Sequence, residues 1–123
     1  MNIQHPISQL ILSGEKTVET RTYKMPDQYA GEEVFLIETP GKHGKFKARA
    51  IARITFGESF EYGSKKSFYA DIKRHRVEPG STWEWKDKKK WGWPIVNVKR
   101  LKTPVEIKET RGIVFTKSIS VDV

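Results

Sequence analysis

The chain has 123 residues, 37% of them hydrophobic and 11% aromatic, enough for one folded core and most simply a single domain over residues 1–123. It has no cysteine, which excludes disulfides, thiol nucleophiles and thiolate metal sites, and no stretch approaches the roughly 20 apolar residues of a membrane-spanning helix. The net charge of +8 is unevenly spread, because residues 65–102 carry 12 Lys and Arg against 4 acids while the rest of the chain is balanced.

In chain order, residues 1–5 form a short strand or an extended arm, and Pro6 suits the first turn of a helix because its missing N–H would be unpaired there. Ile7, Leu10 and Ile11 share a helical face, and Gly14 stops the helix, since glycine takes the left-handed terminal position without a Cβ penalty. The period then changes. From Lys16 to Tyr23 the residues alternate as a strand, with Lys16, Val18 and Thr20 on one face and Thr17, Glu19 and Arg21 on the other. Glu19 and Arg21 either pair as surface charges or line a cleft. Residues 25–31 are a loop, and the apolar run in residues 34–39, bounded by Gly31 and Pro40-Gly41, reads as a buried strand.

After a turn at residues 40–44, residues 46–60 alternate as one long strand. The small Ala48, Ala50 and Ala52 on its inner face predict close approach of another element, and Gly57 a bend or bulge. Ser64 or Ser67 caps a helix running to about Arg76, with Phe68, Tyr69 and Ile72 inward and Lys73, Arg74 and Arg76 outward, and His75 on the solvated basic face. Trp83-Glu84-Trp85 and Trp91-Gly92-Trp93 flank five residues and read as a hairpin, with four indoles on one side and Lys86, Lys88, Lys89 and Lys90 at the tip. The indoles either form core, or Trp91 or Trp93 stands at a cleft rim and stacks on an unpaired base. Residues 95–101 continue as a strand that Thr103-Pro104 breaks, and a closing strand begins at residues 113–115. The expected fold class is α+β: a small mixed or antiparallel barrel of five or six strands with two or three short helices at its openings.

The basic third of the chain would neutralise phosphates and release counterions, which makes nucleic acid the leading partner; the alternative is a set of exposed lysines that keeps the protein dispersed. His5, His43 and His75 have no metal-ligand spacing, so neither metal nor cofactor is expected. The first charged residue, Glu15, and the short apolar run at residues 10–12 do not make an export signal. The expectation is a cytoplasmic protein that does not act on membranes.

Gly14-Glu15-Lys16-Thr17-Val18-Glu19-Thr20-Arg21, set between a helix and a strand, resembles the G-x-K-x-x-E-x-R signature of the ASCH family. The likeness is sharpest over residues 3–21, looser over residues 29–39, and extends to the Gly-Trp-Pro-Ile strand at residues 91–101. It implies a PUA-like barrel with a cleft between barrel and helix, lined by the motif's charges and used for RNA or modified nucleobases. On that basis Lys16, Glu19 and Arg21 would contact the base, Trp91 and Trp93 would supply stacking, and Lys86, Lys88, Lys89 and Lys90 would meet phosphates. An enzymatic branch of the family deacylates a modified cytidine nucleoside. Its lysine corresponds to Lys16, while its catalytic threonine corresponds to Glu19. Other members cleave RNA, which would place Lys16 on developing phosphate charge and Glu19 or Tyr23 in proton transfer.

Overall fold

The structure, a computed structural model, describes residues 1–41, 45–86 and 88–107; the expected strand at residues 113–115 lies outside them, as does His43. Among the described residues the elements run β1 (Asn2–Gln4), α1 (Ile7–Ser13), β2 (Val18–Arg21), β3 (Glu33–Thr39), β4 (Arg49–Phe56), β5 (Phe60–Tyr62), α2 (Lys65–Ala70), α3 (Ile72–His75) and β6 (Lys90–Glu106). The strands form one curled, mixed sheet in the order β1-β3-β4-β6-β2, with β5 also on β6. Only β1 and β3 pair in parallel. The path ends on β1 and β2, so the curl is a half-barrel whose two edge strands do not pair through their backbones.

The alanines of β4 explain its central place. Ala50 and Ala52 are fully buried between β3 and β6, where a larger side chain would hold the neighbouring layers apart. On the concave side Ile11, Leu36, Ile54, Phe56 and Trp93 form the main core. Trp93 meets Phe56 and Tyr23 edge-on, with ring centroids 5.7 and 5.4 Å away. A smaller cluster of Phe35, Ile37, Ala48 and Ala50 is separate from it, and Tyr62, Phe68 and Val77 form a third under the helices.

Three expectations are corrected. The tryptophan hairpin does not form: the first half of β6 pairs with β2 and β5, through Glu19↔Trp93, Arg21↔Trp91 and Glu61↔Trp91, and residues 83–85 lie outside the sheet. β2 pairs with residues 91–94 and β5 with residues 90–92, so Trp91 and Gly92 are flanked on both sides and leave no edge for residues 83–85. Pro104 does not break β6. Ala50 pairs with Val105 and Ala52 with Arg100, so four residues of β6 bulge opposite Ile51 alone, and within a bulge proline's missing N–H leaves no ladder bond unmade.

The helix after Ser64 does start with the reciprocal Ser64–Ser67 capping box, but it is interrupted at Asp71, whose backbone leaves the helical region. The phase shift turns His75 inward. Its ring is fully buried and stacked on Phe68, with centroids 4.1 Å apart, instead of lying on a basic face. The Val77 N–H donates to Nδ1, so Nε2 carries the proton and donates to the Phe68 carbonyl at 2.6 Å. Burial lowers the His75 pKa, in keeping with this neutral tautomer.

Helix α1 is fixed to the sheet by a carboxylate. Glu38 of β3 is fully buried and accepts from Ser8 Oγ and Gln9 Nε2, both at 2.6 Å, and from Arg49 Nε and Nη2 at 3.0 and 2.8 Å, with His5 Nδ1 at 3.3 Å. Burial alone would raise its pKa; the hydrogen bonds outweigh burial and hold the carboxyl at about 2. Because the folded-state pKa is depressed, this stabilisation is complete above the ordinary carboxylate pKa of 4.5 and is lost as pH falls toward about 2. Glu38→Gln is expected to cost roughly 3 kcal/mol at pH 7 and to flatten the loss of stability below pH 4.5, measured by urea unfolding across pH.

Candidate functional site

The spacing of the Gly14 segment becomes intelligible in three dimensions. Gly14 adopts φ 81°, ψ 4° and donates to the Ile11 carbonyl, ending α1. The chain then folds back, and the Lys16 N–H donates to the Leu10 carbonyl at 2.9 Å. This return aims the Lys16 side chain inward before the strand begins. Thr17 donates its N–H to the Arg74 carbonyl of α3, and β2 starts only at Val18. Lys16 is therefore not bound by the strand's alternation. Instead of facing away from Glu19, it meets it.

Lys16 is 3% exposed, and its Nζ donates to the His75 carbonyl at 2.5 Å. That carbonyl is the last of α3, one of the acceptors a helix end leaves unpaired. Glu19 Oε1 lies 3.7 Å from Lys16 Nζ and accepts from the Thr20 N–H at 2.9 Å, while Oε2 lies 3.9 Å from Arg21 Nη2. Arg21 reaches across the open edge, donating from Nη2 to the Asn2 carbonyl of β1 at 3.3 Å, and its guanidinium carbon lies 5.9 Å from the Trp93 ring centre. Its buried Nε has no hydrogen-bond partner among the described residues. Glu19 and Arg21 are thus both an ion pair and a cleft lining, so the two readings left open by the sequence coexist.

These three residues open onto a cleft of about 410 Å³. It occupies the unpaired seam between β1 and β2: Asn2, Ile3 and Gln4 line one side and Glu19, Thr20 and Arg21 the other. Ile7 and Leu10 of α1 add apolar surface. The remaining wall is residues 76–83, contributing Arg76, Val77, Glu78, Ser81 and Trp83. A cavity of this size, part apolar and with a few convergent charges, suits a small ligand. Among the described residues no group of three or more His, Asp or Glu could hold a metal, and no helix is long and apolar enough to cross a membrane.

The aromatic assignments exchange places. Trp93 is fully buried core beneath Arg21, and Trp91 packs half-buried against the same core; neither lines the cleft. Trp83 is instead 49% exposed and forms part of the cleft wall. Its backbone is held by Lys90, whose Nζ donates to the Trp83 carbonyl. Lys90 is therefore a buried strut, its pKa lowered by burial and then by Lys86, rather than a phosphate contact at a loop tip. Lys86, Lys88 and Lys89 are exposed, and Lys89 pairs with Glu61 at 3.1 Å. Tyr23 lies outside the cleft, its ring against Trp93.

Arg76 was not singled out as a site residue by the sequence. It has φ 61° and ψ 26°, a left-handed conformation uncommon outside glycine, and its guanidinium lies 3.8 Å from Glu15 at the cleft mouth. No sequence signal marks it. Trp83 had one, because it follows the turn-forming Pro79-Gly80-Ser81 and is released from any strand pattern.

The curled mixed sheet and the short helices form a small α+β half-barrel. The fold is similar to that of the ASCH protein from Zymomonas mobilis, with a TM-score of 0.62 over 87% of this chain and 71% of that one at 13% identity. Two single-residue variants of the same protein superpose alike, with TM-scores of 0.64 and 0.62 at 12% and 13% identity. No family model matches the chain, and no curated protein matches it in sequence. The resemblance noted over residues 14–21 is thus matched by an ASCH fold.

Burial lowers the Lys16 pKa, the Glu19 charge raises it in part, and Arg21 lowers it again. The Lys16 amine is expected to titrate below the ordinary 10.5, and Glu19→Gln to move it further down because the one opposing charge is removed. Lysine side-chain NMR across pH checks both; a Lys16 pKa that rises on Glu19→Gln would contradict the arrangement.

Proposed function

We propose that the seam cleft binds a single nucleobase, presented as a modified nucleoside or as an unpaired residue of RNA. The observation that carries this reading is the convergence of Lys16, Glu19 and Arg21 beside the half-exposed indole of Trp83. A carboxylate accepts from base amino and imino groups, cations donate to base carbonyls or phosphate oxygens, and an indole offers a face for stacking worth about 1 to 3 kcal/mol per base. A duplex would keep the base edge inside its own pairs, so the unpaired form is the one the cleft can take.

Chain leading away from the cleft would meet the basic segment. Arg76 stands at the mouth, and Lys86 and Lys88 are exposed shortly after Trp83. Lys90 is withdrawn from this role by its bond to the Trp83 carbonyl, and Lys89 is paired with Glu61.

A second reading, hydrolysis at the same site, is favoured by one feature: a buried lysine whose pKa burial lowers lies 3.7 Å from a carboxylate, the two group types that acid–base chemistry uses. In that reaction Glu19 would take a proton from water and Lys16 would donate to the developing oxyanion or phosphate. Glu19 would not itself replace a hydroxyl nucleophile.

One experiment addresses both readings. Binding of single-stranded RNA is measured against salt for the native chain and for Lys86→Gln with Lys88→Gln, and the RNA is recovered intact or cleaved. The double variant is expected to make the slope of log affinity against log salt shallower by about 1.4, or about 0.7 per phosphate contact. An unchanged slope removes these lysines from the interface. Cleavage that disappears in a folded Lys16→Ala variant would establish hydrolysis as the function instead.

A further inference from the structure

We infer that the cleft selects a uracil-type ring, recognising the imide edge in which an N–H lies between two carbonyls. The inference rests on the base-binding reading above and specifies its ligand. Lys16 and Arg21 can only donate hydrogen bonds, and the Glu19 carboxylate can only accept them. Nζ of Lys16 faces Oε1 and Nη2 of Arg21 faces Oε2, so the carboxylate sits between two donors. At 3.7 and 3.9 Å these contacts are too long to be hydrogen bonds, so they leave capacity on all three groups.

That capacity can be followed atom by atom. The Lys16 amine spends one N–H on the His75 carbonyl and, charged or neutral, keeps at least one other. Arg21 commits Nη2 to the Asn2 carbonyl and the Met1 sulfur and its Nε is buried, so its donor on offer is Nη1, which no hydrogen bond engages among the described residues. On Glu19, Oε1 accepts from the Thr20 N–H, and no hydrogen bond reaches Oε2 among the described residues. The array on offer is donor, acceptor, donor.

Of the common bases only uracil and thymine present the complement, acceptor, donor, acceptor, through O4, N3–H and O2. Cytosine presents an amino group followed by two acceptors, which would set its N4 donor against a cation and its N3 lone pair against the carboxylate. Guanine offers one acceptor followed by two donors, and adenine has a single donor and acceptor. In this register cytosine and guanine each leave a charged group of the cleft facing a group of its own polarity, which discriminates more strongly than a lost contact, while adenine leaves one cation of the cleft without a partner.

Trp83 supplies the flat surface such a ring needs. Its indole has no ring contact or side-chain hydrogen bond among the described residues, while the surrounding backbone is fixed: Ser81 Oγ donates to the Glu78 carbonyl at 2.6 Å, and the Gly80 N–H donates to Glu84 Oε2 at 2.7 Å. A wall already ordered loses little freedom when a ring stacks on it. Trp83 acts on any base, whereas the three charges choose among them.

The test titrates the intact chain with uridine, N3-methyluridine, cytidine, guanosine and adenosine, followed by NMR. Uridine is expected to bind most tightly, and methylation of N3 to weaken it at least about tenfold, because the carboxylate then faces a methyl group. Cytidine or guanosine binding as tightly as uridine would overturn uracil selection while leaving base binding intact; if no nucleoside binds, both fall. Glu19→Gln presents an amide that donates as well as accepts, and is expected to bring the uridine-to-cytidine ratio toward one. Trp83→Ala is expected to weaken all nucleosides together at a constant ratio. A Glu19→Gln protein that gives a native spectrum and keeps its uridine preference would overturn the role assigned to Glu19.

Discussion

The site depends on how one buried ammonium is satisfied. Lys16 has only 3% of its surface in water, and a cation in that position needs oxygen close by. The last carbonyl of α3 and the Glu19 carboxylate provide it. Because the carbonyl belongs to His75, the bond joins the segment between α1 and β2 to the helical layer, and the parallel bond from the Thr17 N–H to the Arg74 carbonyl reinforces the join. His75 is itself fixed by its stack on Phe68 and by both ring nitrogens. The wall of residues 76–83 therefore stands at a defined distance from the seam.

The seam follows from topology. A sheet that curls but ends on β1 and β2 leaves two edges facing each other, and unpaired edges invite wrong partners. Here the edges are short, three and four residues, and Arg21 bridges them through the Asn2 carbonyl. The bridge leaves backbone groups, apolar side chains of α1 and the motif charges lining the gap. The opening that makes the barrel incomplete is the same opening that receives a ligand in the proposed function.

Much of this was legible in the sequence, for reasons that can be stated. Gly14 marked the helix end because a left-handed residue there is almost forced to be glycine; residues 34–39 and the small alanines of β4 marked the buried strands; and Ser64 and Ser67 marked the cap. Lys16, Glu19 and Arg21 were read as one site. What alternation missed was the return of the chain after Gly14, which places Lys16 beside Glu19 although a continuous strand from Lys16 would put them on opposite faces. His75 was misplaced because one non-helical residue, Asp71, shifts the phase of everything after it. The tryptophans were misassigned because local symmetry around five residues suggests a hairpin, whereas β2 and β5, distant in sequence, occupy both edges of Trp91 and Gly92. Arg76 and Trp83 enter the site only through tertiary placement.

The most direct test of the central claim is a crystal structure of the chain soaked with uridine. The account predicts the ring in the seam between β1 and β2, one face on the Trp83 indole and its edge within about 3 Å of the Glu19 carboxylate, as a hydrogen bond requires. A nucleoside bound elsewhere on the molecule, with its ring touching none of Lys16, Glu19 and Arg21, would contradict it.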